Sequence, residues 1–200
     1  MLFRSAGSDL SLKSADLVAG AALTGTATAG VLLDASTATA GTNLSLSAGT
    51  VLTGDDSTFT AGNDLSLTAG TSLTANDSTV IATAGSATIK ANGGALSMNA
   101  STITAKTSVS GTASGGVLLD GSTLTATTGA LTLGAAGGML SMESADLVAG
   151  AALTGTASAG VLLDASTAAA GTNLSLSAGT VLTGDDSTFT AGNDLSLTAG

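Results

Sequence analysis

The sequence predicts an all-β fold, a parallel β-helix or β-solenoid of about nine turns with about 21–23 residues per turn. Three observations predict it. A unit of about 21 residues recurs along the chain, as in Gly41–Ala61 (GTNLSLSAGTVLTGDDSTFTA) and Gly62–Ala84 (GNDLSLTAGTSLTANDSTVIATA). Within the units apolar residues stand two apart, as in Leu44/Leu46, Leu65/Leu67, Leu131/Leu133 and Leu174/Leu176, which is the period of a strand. The residues between them are mostly Ser and Thr, tolerated in strands and indifferent in helices. The leucine-rich repeat has a similar length, but its LxxLxL spacing with Asn is absent.

One unit shows the elements in order. Gly62 opens it, and Leu65-Ser66-Leu67-Thr68 alternates apolar with polar as a first strand. Ser72-Leu73-Thr74 is a second short strand, Asn76-Asp77 a polar corner, and Ser78-Thr79-Val80-Ile81 a third strand. Three strands this short cannot bury a face alone, so each must pair in parallel with its equivalent one turn on, about 4.8 Å away. Leu, Val, Ile and Ala, with Phe59 and Phe189, are expected inside; Ala and Gly suit tight corners, and Ser and Thr face outward.

After a partial turn ending at Ala19, the units run Gly20–Ala40, Gly41–Ala61, Gly62–Ala84, Gly85–Ala105, Lys106–Thr128, Gly129–Ala149, Gly150–Ala170 and Gly171–Ala191, and another begins at Gly192. The turns beginning at Gly62 and Lys106 have 23 residues, the other complete ones 21. A longer repeat overlies the short one. Ser11–Gly70 returns as Ser141–Gly200, an offset of 130 residues, with four differences: Leu12/Met142, Lys13/Glu143, Thr28/Ser158 and Thr39/Ala169. Residues 1–200 therefore read as a single solenoid domain, with a super-repeat over 11–140 that restarts at 141–200. Residues 192–200 match 62–70 and stop in mid-turn, so the expectation is a segment of a longer array or a unit that stacks end to end.

Composition excludes several function classes. The chain has 14 acidic residues against four basic ones (Arg4, Lys13, Lys90 and Lys106), three Phe, and no Trp, Tyr, His, Cys or Pro. A nucleic-acid surface needs cations and stacking aromatics, and both are scarce. Without Cys there is no disulfide scaffold, thiol catalysis or Cys-ligated zinc. Apolar runs are as short as Val31-Leu32-Leu33, far below the roughly 18 residues of a helical membrane span. The opening residues MLFRSAGSDL carry no apolar run of signal-peptide type. Without His, Cys or Tyr, and with one Arg near the start, general acid–base and nucleophilic options nearly vanish, and the chain reads as non-enzymatic.

Two polar columns are candidate sites. An acid/amide column precedes each corner: Asp34, Asp55, Asn76, Asn99, Asp120, Glu143, Asp164 and Asp185. Asp55, Asp56, Asn76 and Asp77 would gather hard oxygen ligands on neighbouring turns, the set suited to calcium. The plainer reading is that Asp and Asn serve the corner itself, bonding local backbone and tolerating left-handed angles. The second column is Thr37/Thr39, Thr58/Thr60, Thr102/Thr104, Thr123/Thr125 and Thr188/Thr190, a stacked Thr-x-Thr array of the kind found on ice-binding solenoids. Asp146 and Ala168-Ala169 interrupt it, and the longer turns are expected to bulge on that side.

The units GTNLSLSAGTVLTGDDSTFTA and GNDLSLTAGTSLTANDSTVIATA resemble the repeats of filamentous haemagglutinin-type exoproteins, the two-partner secretion family of adhesins and toxin stalks. The resemblance covers essentially the whole chain. It implies a right-handed parallel β-helix on the bacterial surface or in the medium, exported through an outer-membrane partner. The family's N-terminal secretion domain and C-terminal effector domains have no counterpart in these residues. The expected function is thus a structural extracellular fibre or adhesin shaft. The alternative is an ice- or cation-binding module of a surface adhesin.

Overall fold

The computed structural model describes residues 1–5 and 7–200. Among the described residues there are strands, turns and bends and no helix. The strands form three wholly parallel sheets, each running from the first turn to the last. Sheet 1 has ten strands, from Leu2–Ser5 to Leu195–Ala199. Sheet 2 has nine, from Leu10–Lys13 to Leu182–Thr183, and sheet 3 nine, from Asp16–Ala19 to Thr188–Ala191. Each turn contributes one strand to each sheet, so the expected three-stranded solenoid is what forms.

Register is one residue to one residue between neighbouring turns. Leu65 lies against Leu44 and Leu67 against Leu46, while Thr79 lies against Thr58 and Val80 against Phe59. Because strand side chains alternate faces, this register stacks every inward side chain on its equivalent and every outward one likewise. In Leu65–Ala69 the residues Leu65, Leu67 and Ala69 are buried and Ser66 and Thr68 half-buried. The resulting columns of Leu, Val, Ile, Met and Ala form one continuous core.

Corners are where the backbone comes closest. A Cβ built on Gly62 would stand 2.1 Å from the carbonyl oxygen of Gly41, one turn away. Gly70 is as tightly seated over Gly49, at 1.9 Å. No side chain fits at either position as the turns are stacked there, which explains the glycine at both.

Several expectations are corrected. The extra residues of the longer turns do not bulge sheet 3. They sit in the two corners that flank sheet 1, one between Ala82 and Ala87 and one between Ala91 and Leu96. The pair flanking Leu131–Ala135 does the same. Glycine-containing corners absorb the insertions, so sheet 3 keeps its one-to-one pairing, as in Thr79 against Thr102. Not every aliphatic residue points inward. Val18, Ile81 and Val148 face outward on sheet 3, because adjacent aliphatics such as Val80 and Ile81 cannot share a face. Conversely Gly25, Gly111 and Gly155 stand at inward positions of sheet 1. Their missing side chains leave room for neighbours: a Cβ on Gly155 would meet Leu176 Cδ2 at 2.7 Å. Phe59 is fully buried, but Phe189 is only partly covered, because it lies in the last turn.

Candidate functional surfaces

The corner between sheets 2 and 3 has the same length in every turn and carries the most ordered polar chemistry. One residue in each turn there has a positive φ, including Ala35 at 48°, Asp56 at 53°, Asp77 at 53° and Ala100 at 52°, with Gly121 at 67°. This left-handed column comes one residue after the acid/amide column, so Asp34, Asp55, Asn76 and their equivalents are not the strained residues, contrary to the sequence reading. Several left-handed positions hold Ala or Ser, which the stacked turns force into an angle they do not favour.

The acid/amide column instead caps the next turn. Asp55 Oδ1 accepts from the backbone N–H of Asn76 at 2.7 Å, and Asn76 Oδ1 accepts from that of Asn99 at 2.9 Å. Asn99 does the same for Asp120, and Asp120 for Glu143. Asn76 Oδ1 also accepts from Ser97 Oγ at 2.9 Å. Of the four cation candidates, Asp55 and Asn76 are therefore joined by a bond from the Asn76 N–H to the Asp55 carboxylate, and Asp56 and Asp77 lie exposed in the left-handed column. Among the described residues no group of three or more His, Cys, Asp or Glu is arranged to hold a metal ion.

Sequence reasoning missed the residue that follows. Ser36, Ser57, Ser78, Ser101, Ser122 and Ser166 are all buried, each about 1–2% exposed. Ser78 Oγ accepts from the N–H of Ser57 at 3.1 Å and donates to the carbonyl of Gly54 at 2.6 Å, both in the preceding turn. Ser57 and Ser101 repeat the pattern. Each serine thus bridges two turns by two bonds in a low-dielectric interior, and among the described residues no buried side-chain polar atom is left unpaired. Ala145 breaks the column, and there Ser122 N–H turns back to Leu119 O at 3.2 Å. The signal was present in the serine that stands two residues after the acid or amide in most corners, as in Asp34-Ala35-Ser36 and Asn76-Asp77-Ser78, but the corner acids drew attention first.

Sheet 3 presents the threonine face. On five consecutive strands its outward pairs are Thr37/Thr39, Thr58/Thr60, Thr79/Ile81, Thr102/Thr104 and Thr123/Thr125. Asp16/Val18 and Asp146/Val148 frame this block on either side. Asp146 accepts a bond from the Thr167 hydroxyl. Sheet 1 carries a second hydroxyl face, in which Ser and Thr mix: Ser45/Ser47, Ser66/Thr68 and Ser110/Thr112.

At the corner between sheets 1 and 2 a groove of about 370 Å³ lies over Gly30, lined by Asp9, Leu32, Thr50 and Val51. One super-repeat later, Met139 stands in the place of Asp9, and its Cε packs 3.6 Å from the Cβ position of Gly160. Met139 and Val181 are 47% and 53% exposed there. The cations are few and dispersed. Among the described residues the one ion pair is Lys13–Asp34 at 3.2 Å, exposed on both sides.

These surfaces define a class: a regular β-solenoid repeat module with a hydroxyl coat. None of the family models, curated proteins or solved structures compared with the chain matches it.

Proposed function

We propose that the protein is the shaft of an extracellular bacterial fibre or adhesin, a non-enzymatic spacer built of stacked turns. The observation that carries this reading is the unbroken run of three parallel sheets through all turns, in one register. Backbone hydrogen bonds between turns lie along the long axis, so tension on the fibre loads many of them together, and the serine ladder adds buried side-chain bonds in the same direction. The commensurate 130-residue super-repeat lets a chain grow by whole blocks without a change of register.

The last turn presents partly open core side chains, Leu195 at 49% and Leu197 at 42% exposed, beside unpaired strand edges. That surface is complementary to one more turn of the same kind. The repeat resemblance adds export through an outer-membrane partner and a place on the cell surface. Electron microscopy of the native material tests the proposal. Thin fibres with an axial spacing of roughly 29 Å, six turns at about 4.8 Å, are expected. Short discrete particles would overturn it.

A further inference from the structure

We infer that the five-strand threonine block of sheet 3 is a binding face for crystalline water, so that the shaft also engages ice. The first observation is a contrast within the molecule. Outward positions of sheet 1 accept Ser freely, as at Ser45, Ser47, Ser66 and Ser110, whereas no outward position of sheet 3 holds Ser. Where sheet 3 departs from Thr it uses Val18, Ile81, Val148, Ala169 or an Asp. A demand for solubility or strand propensity would act on both sheets alike. Within the five-strand block every outward side chain is β-branched, and nine of the ten carry hydroxyl and methyl together.

The second observation is geometric. The longer turns lodge their extra residues at the corners of sheet 1, so the block is unbulged and in one-to-one register across its strands. Its hydroxyls therefore repeat at about 4.8 Å between strands and about 6.6 Å along them. β-Branching restricts χ1, so each position offers only a few arrangements of hydroxyl and methyl. Among the described residues none of the nine hydroxyls is taken by another protein group, in contrast to Thr167, which bonds Asp146.

The block's size and chemistry select the occupant. Five strands of four residues cover about 320 Å², well below the roughly 800 Å² per partner of a stable protein pair, so a second copy docked face to face is disfavoured. The block is uncharged in a chain of net charge −10, which fits a neutral lattice. The chain has no Trp or Tyr on which sugar rings stack, which disfavours a crystalline polysaccharide. A lattice of hydrogen-bonded water offers neutral donors and acceptors at fixed repeats and spaces for the methyl groups.

The test is freezing-point hysteresis and inhibition of ice recrystallisation by the 200-residue protein, with far-UV circular dichroism to confirm the fold. The protein is expected to open a gap between melting and freezing. Thr102→Tyr, on the fourth strand of the block and its one fully exposed threonine, is expected to lose most of that gap, and Thr112→Tyr on sheet 1 to keep it. Thr102→Ser retains the hydroxyl and removes the methyl; it is expected to reduce the gap and keeps the test decisive if tyrosine disturbs the turn. An inert parent protein, or equal losses from Thr102→Tyr and Thr112→Tyr, would overturn the inference. Either outcome leaves the shaft reading standing, since a shaft does not need an active face.

Discussion

Gly54 and Phe59 share one volume in the core: a Cβ on Gly54 would stand 2.7 Å from Phe59 Cζ. The relationship returns a super-repeat later, where a Cβ on Gly184 would stand 2.9 Å from Phe189 Cζ. Neighbouring turns divide the same space differently, with Leu33 beside Ala38 and Ala75 beside Val80, all buried. In these turns a large residue at one position is matched by a small one five residues away, whereas Met98/Ile103, Leu119/Leu124 and Met142/Leu147 place two large buried residues at the equivalent positions.

Gly54→Ala therefore overpacks the turn and is expected to cost about 1–3 kcal/mol, and Phe59→Ala, which empties it, about 3–5 kcal/mol. The pair Gly54→Ala with Phe59→Leu is expected to recover part of the first loss. Urea unfolding of these variants and of Phe59→Leu alone checks this; strictly additive effects of Gly54→Ala and Phe59→Leu would contradict a shared volume.

The serine ladder makes a second prediction. Ser101→Ala strands the N–H of Ser78 and the carbonyl of Ala75 in the interior, at an expected cost of about 1–3 kcal/mol. The reverse change, Ala145→Ser, restores the missing rung by relieving the Ser122–Leu119 turn bond and is expected to stabilise by about 0.5–1.5 kcal/mol. A neutral Ser101→Ala measured by urea unfolding would show that the ladder contributes no stability.

How much of this was legible follows from the period of each signal. Alternation at Leu65/Leu67 and the glycine spacing gave the strands, their parallel stacking and the number of turns, because each signal is repeated at nearly every turn. The destination of single residues was less legible. Ile81 reads as core until its neighbour Val80 takes the inward place, and the corner acids read as left-handed residues until the backbone puts that angle one position later. The serine ladder was hidden because a buried serine and a solvated one look alike in a chain rich in Ser and Thr.

Asp55 offers a way to separate charge from geometry. Its Oδ1 accepts from Asn76 N–H, a role that an amide oxygen also fills, as Asn76 itself shows toward Asn99. Asp55→Asn is expected to unfold within about 0.5 kcal/mol of the parent, and Asp55→Ala to lose about 1 kcal/mol. A loss for Asp55→Asn as large as that for Asp55→Ala would give the carboxylate a charge-dependent role and return attention to a cation at this corner.

Lys13 and Asp34 form an exposed ion pair, with side chains 65% and 40% accessible. Lys13→Ala is expected to change stability by no more than about 1 kcal/mol, with thermal unfolding at low and high salt as the check.

The central claim is that turns stack at a constant rise and build a rod. Its most direct test inserts one or two further copies of residues 11–140 between Leu140 and Ser141, where the repeat continues in register, and follows solution X-ray scattering. The account predicts a rod that lengthens by about 29 Å per inserted copy at constant cross-section. A cross-section that grows with each copy, or dimensions that scale as a flexible chain, would contradict it.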